Sequence, residues 1–392
     1  MSVTQESLYG RVLDISSLEQ MRLDRYPEEF GERARRSLEA SAEVFRPLEL
    51  AFGSDAKADV PDTMEITAET VWSTQKYGTA PSASDLLRRP AVLDAMGIHR
   101  QLVFPVIGLL TMQYLLGDNA AAAEATAEQL DAGWEAIDAY NEWAADITTR
   151  CLDRVRVVAV LALAAKPGVT PDALVEESQR LISSGVRALV IPSGRPPAGL
   201  SPADPALDPF YATLAEANVA LLLRGGLWTR YRATEVWGDV PRGGAFPFLD
   251  PTFITHVHQA EENFLTAMVI GGVFERHPTL RFGIVKVGAS WIGPLAERMD
   301  HGMPPFMVPD HLPLKPSEYL SRNVRVSVFG HEPVDTYFDR YPMIRDMFCY
   351  SSDFPAHGGG EWSLRTLHER LKPVGDDVIE GFFCRNAELL LP

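Results

Sequence analysis

Short apolar runs rich in Val, Ile and Leu alternate along the chain with longer stretches of amphipathic character. The short runs predict strands buried on both faces, and the longer stretches predict helices. Their alternation predicts repeated βα units around a parallel sheet. Eight runs are candidate strands: 11–16, 100–106, 155–163, 186–192, 219–224, 281–287, 324–329 and 347–353.

Helical patterns fill the gaps between these strands. One of them begins at Pro171, whose fixed φ suits a first helical turn, and Thr170 is its predicted cap. The predicted helical stretches are 120–150, 171–184, 209–217, 250–277, 293–300, 362–371 and 376–391.

Eight strands that are each followed by a helix predict an α/β fold of the (β/α)8 TIM-barrel type, with a doubly wound sheet as the alternative. We expect one domain over residues 1–392. Residues 20–95 interrupt the βα rhythm with charged and polar segments. We interpret them as an insertion after the first strand, which would cap the C-terminal mouth of the barrel, where such folds build their sites.

Composition narrows the choice of partners. The formal net charge is −17, and no run of Lys and Arg stands out, so we expect no nucleic-acid partner. Cys151, Cys349 and Cys384 are far apart and form no disulfide pattern, which fits a reducing compartment. The first residues lack a signal-peptide pattern, and the longest apolar runs reach about half of a bilayer span. These features predict a cytoplasmic protein with no membrane segment.

Charged residues stand at the ends of several predicted strands. Arg224 and Lys286 each share a side of the strand with apolar residues two and four positions earlier, so both should face the interior or mouth of the sheet. Asp353 ends the last strand, and Asp14 and Ser16 end the first. Together they predict a polar pocket floor, although each cation could instead belong to a structural ion pair and Asp14 could cap a helix.

Two histidines are further candidates. His357 follows Pro355 and precedes three glycines, which would allow a ligand to approach the backbone closely. His331 follows the seventh predicted strand, at the end of the sheet where a site is expected. We predict that one of the two serves as a proton carrier beside Asp353.

Three segments resemble the family-2 amidohydrolases, the group that includes the aminocarboxymuconate-semialdehyde decarboxylase type. "GGVFERHPTLRFGIVKVGASWIGPLAERMD" (271–300) resembles their Gly-Val-Phe-Glu-Arg-x-Pro segment, sixth strand and Gly-x-x-Trp helix start. "YSSDFPAHGGG" (350–360) resembles their Ser-Asp-[Phe/Tyr]-Pro-His segment with one inserted residue, and "RNAELLL" (385–391) resembles their closing segment. The resemblance implies an amidohydrolase-type barrel, often a dimer, among hydrolases, hydratases and non-oxidative decarboxylases.

The chain departs from this family at the metal-ligand positions that the resemblance implies. Ser16 and Leu18 stand where the first strand normally carries two histidines, Arg224 replaces the fifth-strand histidine, and Lys286 stands at the sixth-strand position. Asp353 alone keeps its family identity. Leu, Arg and protonated Lys cannot bind zinc or a similar cation. We therefore expect no metal and no other cofactor, with Arg224 and Lys286 supplying the positive charge instead.

The sequence thus favours a metal-independent enzyme that acts on an anionic cyclic or aromatic small molecule by hydrolysis, decarboxylation, isomerisation or cyclisation, in specialised metabolism. Asp353 would be the acid or base, and Lys286 would stabilise negative charge or form a Schiff base. We expect the substrate to contact the following side chains: Arg224, Ser16, Asp14, Trp228, Trp291 and Met112.

Three points remain open at this stage. The chain could be a catalytically silent barrel that binds a ligand or protein partner. It could also be an ordinary metal-dependent hydrolase or decarboxylase with Asp14, His331, His357 and Asp353 as ligands. The apolar loops 104–115 and 225–240 suit either a substrate pocket or the interface of the expected homodimer.

Overall fold

The structure is a computed structural model of the 392-residue chain. It describes residues 3–20, 30, 65–72, 80–106, 126–225, 255–302, 304, 307, 309–356 and 361–392. Most of the predicted insertion therefore lies outside the described residues, and so do Met112, Trp228 and His357.

The strands form two parallel sheets. The first has the order β1-β2-β3 and the second has the order β4-β5-β6-β7-β8-β9, with parallel pairing throughout both. This confirms the predicted α/β class. The strand bounds are β1 Val12–Leu18, β2 Ile98–Phe104, β3 Val155–Val157, β4 Ala159–Val160, β5 Ala188–Ile191, β6 Ala220–Arg224, β7 Phe282–Val285, β8 Val324–Ser327 and β9 Phe348–Cys349.

Helices connect most of the strands, as the sequence predicts. Thr170 caps its helix, since its side chain accepts a hydrogen bond from the N–H of Ala173 at 3.3 Å. The helix bounds are α1 Gln5–Leu8, α2 Ala68–Trp72, α3 Arg89–Met96, α4 Ala127–Arg150, α5 Pro171–Ser183, α6 Asp208–Glu216, α7 Gln259–Ile270, α8 Val273–Arg276, α9 Ile292–His301, α10 Pro316–Asn323, α11 Val334–Arg340, α12 Glu361–Leu371 and α13 Asp376–Phe383.

Each predicted strand is present, but most are shorter than predicted. The third run, 155–163, divides into β3 and β4 at Val158, whose N–H donates to the carbonyl of Val103 at 2.9 Å. The last run forms only two strand residues, because the chain turns toward β1 beyond β9. There the N–H of Ile15 donates to the carbonyl of Tyr350, and the N–H of Leu18 donates to that of Phe354.

One continuous hydrophobic core joins the strands to the helices around them, and β5 and β7 are buried along their full length. Helix α3, which begins inside the predicted insertion and ends one residue beyond it, contributes buried Val92, Leu93 and Met96 to this core. The three cysteines are buried and free, which confirms that they form no disulfide. In the part of the chain that the structure describes, no helix is long and apolar enough to cross a membrane.

Candidate active site

A pair of opposite charges lies where β7 and β9 end. Lys286 directly follows β7, and its Nζ donates to Oδ1 of Asp353, four residues beyond β9. Their side chains are 20% and 13% exposed, so water reaches the pair only partly. The two residues are 67 positions apart in sequence. The parallel sheet brings them together because it aligns the carboxyl ends of its strands at one edge.

Both members of this pair have a left-handed backbone. The φ angles are 68° for Lys286 and 55° for Asp353, a region that side chains other than Gly rarely adopt and that costs about 1–2 kcal/mol for each residue. Hydrogen bonds hold both conformations. The N–H of Lys286 donates to Oγ of Ser327 at 3.0 Å, and that of Asp353 donates to the carbonyl of Ser16 at 2.9 Å. Strained residues held in this way are typical of functional sites.

Arg224 adds a second cation at the end of β6. Its side chain is buried, and its guanidinium lies 6.0 Å from the ring centre of Phe104. Burial lowers the Arg224 pKa to about 10, while the charges of Asp353 and Glu19 act to raise it. Burial also lowers the Lys286 pKa; Asp353 opposes this and Arg224 adds to it. Arg224, Lys286 and Asp353 therefore form one electrostatically coupled group, which we call the charged triad.

Asp14 on β1 is bonded to the segment that carries Asp353. Its carboxylate accepts hydrogen bonds from the N–H of Ser16, from the amide of Gln101 and from both the N–H and the hydroxyl of Ser352. Complete burial raises the Asp14 pKa to about 6. The bonds to Ser352 hold the residue that precedes Asp353. The predicted contact of Asp14 with substrate stays a prediction, since the structure gives it these protein partners.

Ser16 presents a buried hydroxyl at the same edge. The residue is 1% exposed, and its Oγ has no hydrogen-bond partner among the residues that the structure describes. Buried hydroxyls are usually bonded, so this oxygen is suited to a substrate atom or a water molecule. It is the predicted substrate-binding residue whose environment best fits that role.

Two buried charges beside β1 were not predicted from the sequence. Glu19 is fully buried, and its Oε1 accepts the N–H of Val106 at 2.8 Å. Arg89 is also fully buried: it donates to the carbonyls of Ser82 and Leu18, and it lies 4.9 Å from the ring centre of Phe354. These contacts tie the end of β1 to the segment that carries Asp353. No local sequence pattern marks either residue: Ser16 and Ser17 separate Glu19 from the apolar run before it, and Arg89 lies outside every predicted strand.

Glu332 organises the loops that follow β7 and β8. Its buried carboxylate accepts the N–H groups of Ala289, Ser290 and Phe329, as well as the hydroxyl of Tyr337. His331, the neighbouring candidate, is exposed and stacks on Phe329 with ring centres 5.5 Å apart. The sequence therefore singled out the histidine, but the buried and fully bonded residue is the adjacent glutamate. The proton-carrying role of His331 stays a prediction.

Trp291 directly precedes helix α9 and is buried. Its Nε1 donates to the carbonyl of Gly288 at 2.9 Å, and its ring stacks on that of His258 at 5.6 Å. The hydrogen bond closes the loop after β7 on itself, and the ring contact joins that loop to the residue that precedes α7. The structure thus gives Trp291 a packing role, and its predicted substrate contact is untested.

A second buried carboxyl, also missed from the sequence, lies beyond β5. Ser193 follows that strand and donates through its hydroxyl to Oε1 of Glu261 on α7 at 2.8 Å. Glu261 is fully buried, and burial raises its pKa to about 7. Such a carboxyl can take up or release a proton near neutral pH.

The described residues do not fit a metal centre. They include no group of three or more His, Cys, Asp or Glu side chains that could hold a metal ion. Lys286 occupies one oxygen of Asp353, and four hydrogen bonds occupy Asp14. Of the four ligands considered in the metal-dependent alternative, His357 lies outside the described residues and His331 is exposed. We therefore derive no catalytic step through a metal.

Comparison with known proteins identifies the relatives of the chain. The amidohydrolase family model matches residues 97–392, which confirms the resemblance found in the sequence. No curated protein matches the chain.

Several solved structures have the same fold. An amidohydrolase from Mycobacterium avium subsp. paratuberculosis K-10 has a TM-score of 0.68 at 18% identity, covering 97% of this chain and 99% of that one. A 5-carboxyvanillate decarboxylase from Novosphingobium aromaticivorans DSM 12444 has a TM-score of 0.58 at 18% identity, covering 99% and 97%. A 2,6-dihydroxybenzoate decarboxylase has a TM-score of 0.54 at 19% identity, covering 77% and 86%. Identities this low establish the common fold only.

The expectation of no metal cofactor is wrong. Two structures of the 5-carboxyvanillate decarboxylase contain bound manganese, so structural relatives of this chain take a metal. The expectation gave most weight to the positions of the usual ligands, at which a Leu or Arg excludes a metal, and it ranked a metal site built from other residues second. A ligand set can also draw on loop residues that a strand pattern does not reveal.

Proposed function

Because this chain belongs to the amidohydrolase family, we propose that it is a carbon–carbon lyase of the decarboxylase type. Its substrate would be a small anionic carboxylate with a cyclic or aromatic ring. The observation that carries this proposal is the charged triad, in which two cations and one carboxylate come together at the carboxyl ends of β6, β7 and β9. Since a fold hosts many chemistries, the proposal rests on the site rather than on the barrel.

The two cations suit the binding of a carboxylate. Arg224 offers a planar guanidinium fork that matches a carboxylate with two parallel hydrogen bonds. Its burial strengthens any such contact, because the surroundings screen charge less than water does. The unpartnered hydroxyl of Ser16 could bond a ring substituent. An anionic ligand would also relieve the repulsion between Arg224 and Lys286.

The Lys286–Asp353 pair suits the proton transfer that decarboxylation requires. In that reaction the ring carbon gains a proton, its bond to the carboxyl carbon breaks, and carbon dioxide leaves. The lowered pKa of Lys286 makes its ammonium a stronger acid than an exposed lysine. Asp353 orients Nζ, and Lys286 regains the donated proton from solvent before the next turnover. In this role the pair would hold one exchangeable proton.

The structural relatives support this substrate class. One is bound to 4-hydroxy-3-methoxy-5-nitrobenzoic acid and another to 2,6-dihydroxybenzoate, and both are aromatic carboxylates. We extend this class, and not a particular compound, to the present chain.

The proposal includes a closed eight-stranded barrel in a single domain. The hydrogen bonds from Val158 to β2, and from β1 to the segment after β9, support one sheet that closes on itself. We further propose that residues 20–95 contribute the cap over its mouth and that the enzyme is a homodimer.

The test is a decarboxylation assay on a panel of hydroxybenzoates and methoxybenzoates. Loss of the aromatic carboxylate and release of carbon dioxide are followed with and without added manganese, because related structures contain this metal. We expect the variants Arg224→Met and Lys286→Met to lose about 10²–10⁴-fold in kcat/KM.

Matched controls remove an exposed charge of the same kind elsewhere. Arg180→Met replaces a side chain that is 42% exposed, and Lys372→Met replaces one that is 53% exposed. Both controls should keep full activity. Unchanged ligand binding in both Arg224→Met and Lys286→Met would refute the assigned roles, and absence of turnover on the whole panel would refute the reaction class.

A further inference from the structure

A polar cavity lies at the end of the sheet opposite the charged triad. It has a volume of about 1130 Å³, and residues at or near the amino ends of several strands line it. Arg11 precedes β1, Arg281 precedes β7, and Arg100 and Arg325 lie near the starts of β2 and β8. Since these strands are parallel, their amino ends lie away from the charged triad at the carboxyl ends. We call this space the arginine cavity.

Positive charge dominates the lining of the arginine cavity. Two acidic residues, Glu380 and Glu388, also line it, and Glu380 pairs with Arg11. The lining arginines are Arg11, Arg100, Arg281, Arg322, Arg325 and Arg385.

Three of these arginines have no acidic partner within the described part of the chain. No carboxylate there lies within 4.0 Å of the guanidinium of Arg281, Arg322 or Arg325. The chain contains 53 acidic residues against 36 basic ones, so acidic partners are plentiful. Asp346 acts on Arg325 only from beyond ion-pair distance. Three cations without a direct ion pair around one cavity of an acidic protein therefore create a local positive field that would attract anions.

Neutral acceptors hold these guanidiniums in place. Arg281 donates to the carbonyl of Leu389 at 3.1 Å and to Oδ1 of Asn218 at 2.9 Å. Arg325 donates to the carbonyl of Asn386 at 2.7 Å and to that of Ser321 at 2.8 Å. These bonds orient the planar forks without cancelling their charge. Orientation before binding lowers the entropy that a ligand must overcome.

Arg100 pairs with Asp153 and donates to the carbonyl of Leu391 at 3.2 Å, but one of its donors is unused. The Nε of Arg100 is buried and has no hydrogen-bond partner among the described residues. Burial lowers the pKa of Arg100 and of Arg281, and repulsion by the neighbouring Arg156 lowers both further. The attachment of the C-terminal segment explains the bonds to carbonyls, but it does not explain why the acidic partners are missing.

We propose that the arginine cavity is a binding site for a small multivalent oxyanion of the oligophosphate class, separate from the candidate active site. Guanidinium forks bind phosphate oxygens with paired, charge-assisted hydrogen bonds. A triphosphate carries several negative charges in a short chain, which matches several guanidiniums around one space. The proposal does not depend on the proposed lyase reaction.

The first experiment is calorimetric titration of the full chain with inorganic triphosphate at low salt. We expect one site per chain, with an affinity that falls as salt increases. Arg281→Gln and Arg325→Gln should each weaken binding about 10-fold or more, whereas the control Arg180→Gln, on α5 and outside the cavity, should not. No binding by the unaltered protein, or equal binding by all three variants, would overturn the proposal.

A second measurement uses the unaltered protein, so it decides the question even if a variant does not fold. Arginine side chains are modified with phenylglyoxal with and without triphosphate, and the modified residues are identified by mass spectrometry. Protection of Arg281 and Arg325 is expected. Protection of Arg224 alone would place the anion at the charged triad and overturn the proposal.

Other anions test the ligand class. Citrate that binds as tightly as triphosphate would overturn the assignment to oligophosphates. Adenosine triphosphate distinguishes two sources of the same chemistry: tighter binding than inorganic triphosphate supports a nucleotide, and equal binding supports the phosphate chain alone.

Discussion

The two ends of the parallel sheet both carry cations, but they hold them in different ways. At the carboxyl end, Lys286 and Asp353 neutralise each other on a strained backbone, beside buried Arg224. At the amino end, Arg281 and Arg325 are held by neutral carbonyl and amide oxygens. The first arrangement pairs opposite charges, which fixes the position of the Lys286 ammonium. The second leaves net positive charge exposed to a cavity, which suits binding rather than chemistry.

The largest loss of stability should come from breaking the ion pair between Lys286 and Asp353. Asp353→Asn leaves Lys286 and Arg224 as two neighbouring cations without the carboxylate between them. We expect a loss of about 3 kcal/mol in the free energy of unfolding, since breaking a buried pair leaves an uncompensated charge. Urea unfolding measures this loss.

The double variant Lys286→Met/Asp353→Asn separates charge coupling from simple packing. It should recover most of the stability that Asp353→Asn loses, because the unpaired ammonium is gone. If the double variant is as unstable as the sum of the two single variants, the pair is not coupled as we describe.

The pH dependence of stability tests the buried carboxyl of Glu261. Its pKa is raised to about 7 from an ordinary value of 4.5, so the native state holds a proton that the unfolded chain has lost. The native state therefore loses stability as pH rises from 4.5 to 7, by about 3 kcal/mol in total. Glu261→Gln removes this pH-dependent contribution to stability, because glutamine does not titrate. The stability of the variant relative to the unaltered protein should rise by this amount across the window, and a difference that stays constant with pH would contradict the assignment.

Gly288, in the loop after β7 at the carboxyl end of the sheet, allows a further test, with a smaller expected loss of stability. Gly288 has φ of 69°, and a Cβ there would lie 3.0 Å from the carboxylate of Glu332. Gly168 has φ of 79° with nothing within 4 Å of such an atom, so it is a matched control. We expect Gly168→Ala to cost only the backbone term of about 1 kcal/mol, and Gly288→Ala to cost about 1 kcal/mol more. If the two variants lose equal stability in thermal unfolding, the Glu332 side chain moves away from the added methyl group without a measurable cost.

The smallest change in stability should come from substitution of an arginine at the amino end of the sheet. Arg281→Gln loses two hydrogen bonds to neutral acceptors but relieves repulsion from Arg156. We expect the free energy of unfolding to change by less than about 1 kcal/mol. The stability of the variant relative to the unaltered protein should be higher at low salt than at high salt, because salt screens the repulsion that the substitution removes. A loss as large as that of Asp353→Asn would make these arginines structural.

The sequence predicted the sheet well and the site in part. Apolar runs located all eight strand regions, because burial on both faces leaves a local signal that needs no knowledge of neighbours. Charges that follow such runs identified Arg224, Lys286 and Asp353. The hydrogen bond between Ser193 and Glu261 joins residues 68 positions apart, and no local sequence pattern predicts it. The expectation of no metal cofactor failed for the same reason, since it judged ligands mainly from local positions.

The sequence by itself therefore determined the α/β class, the family and the unusual cations at the strand ends. Only the tertiary structure decided which of these charges meet. It paired Lys286 with Asp353, buried Asp14 under four hydrogen bonds, and brought arginines from separate segments around one cavity. The physical reason is that burial produces a pattern of apolar residues close together in the sequence, whereas charge neutralisation depends on distances between residues far apart in the chain.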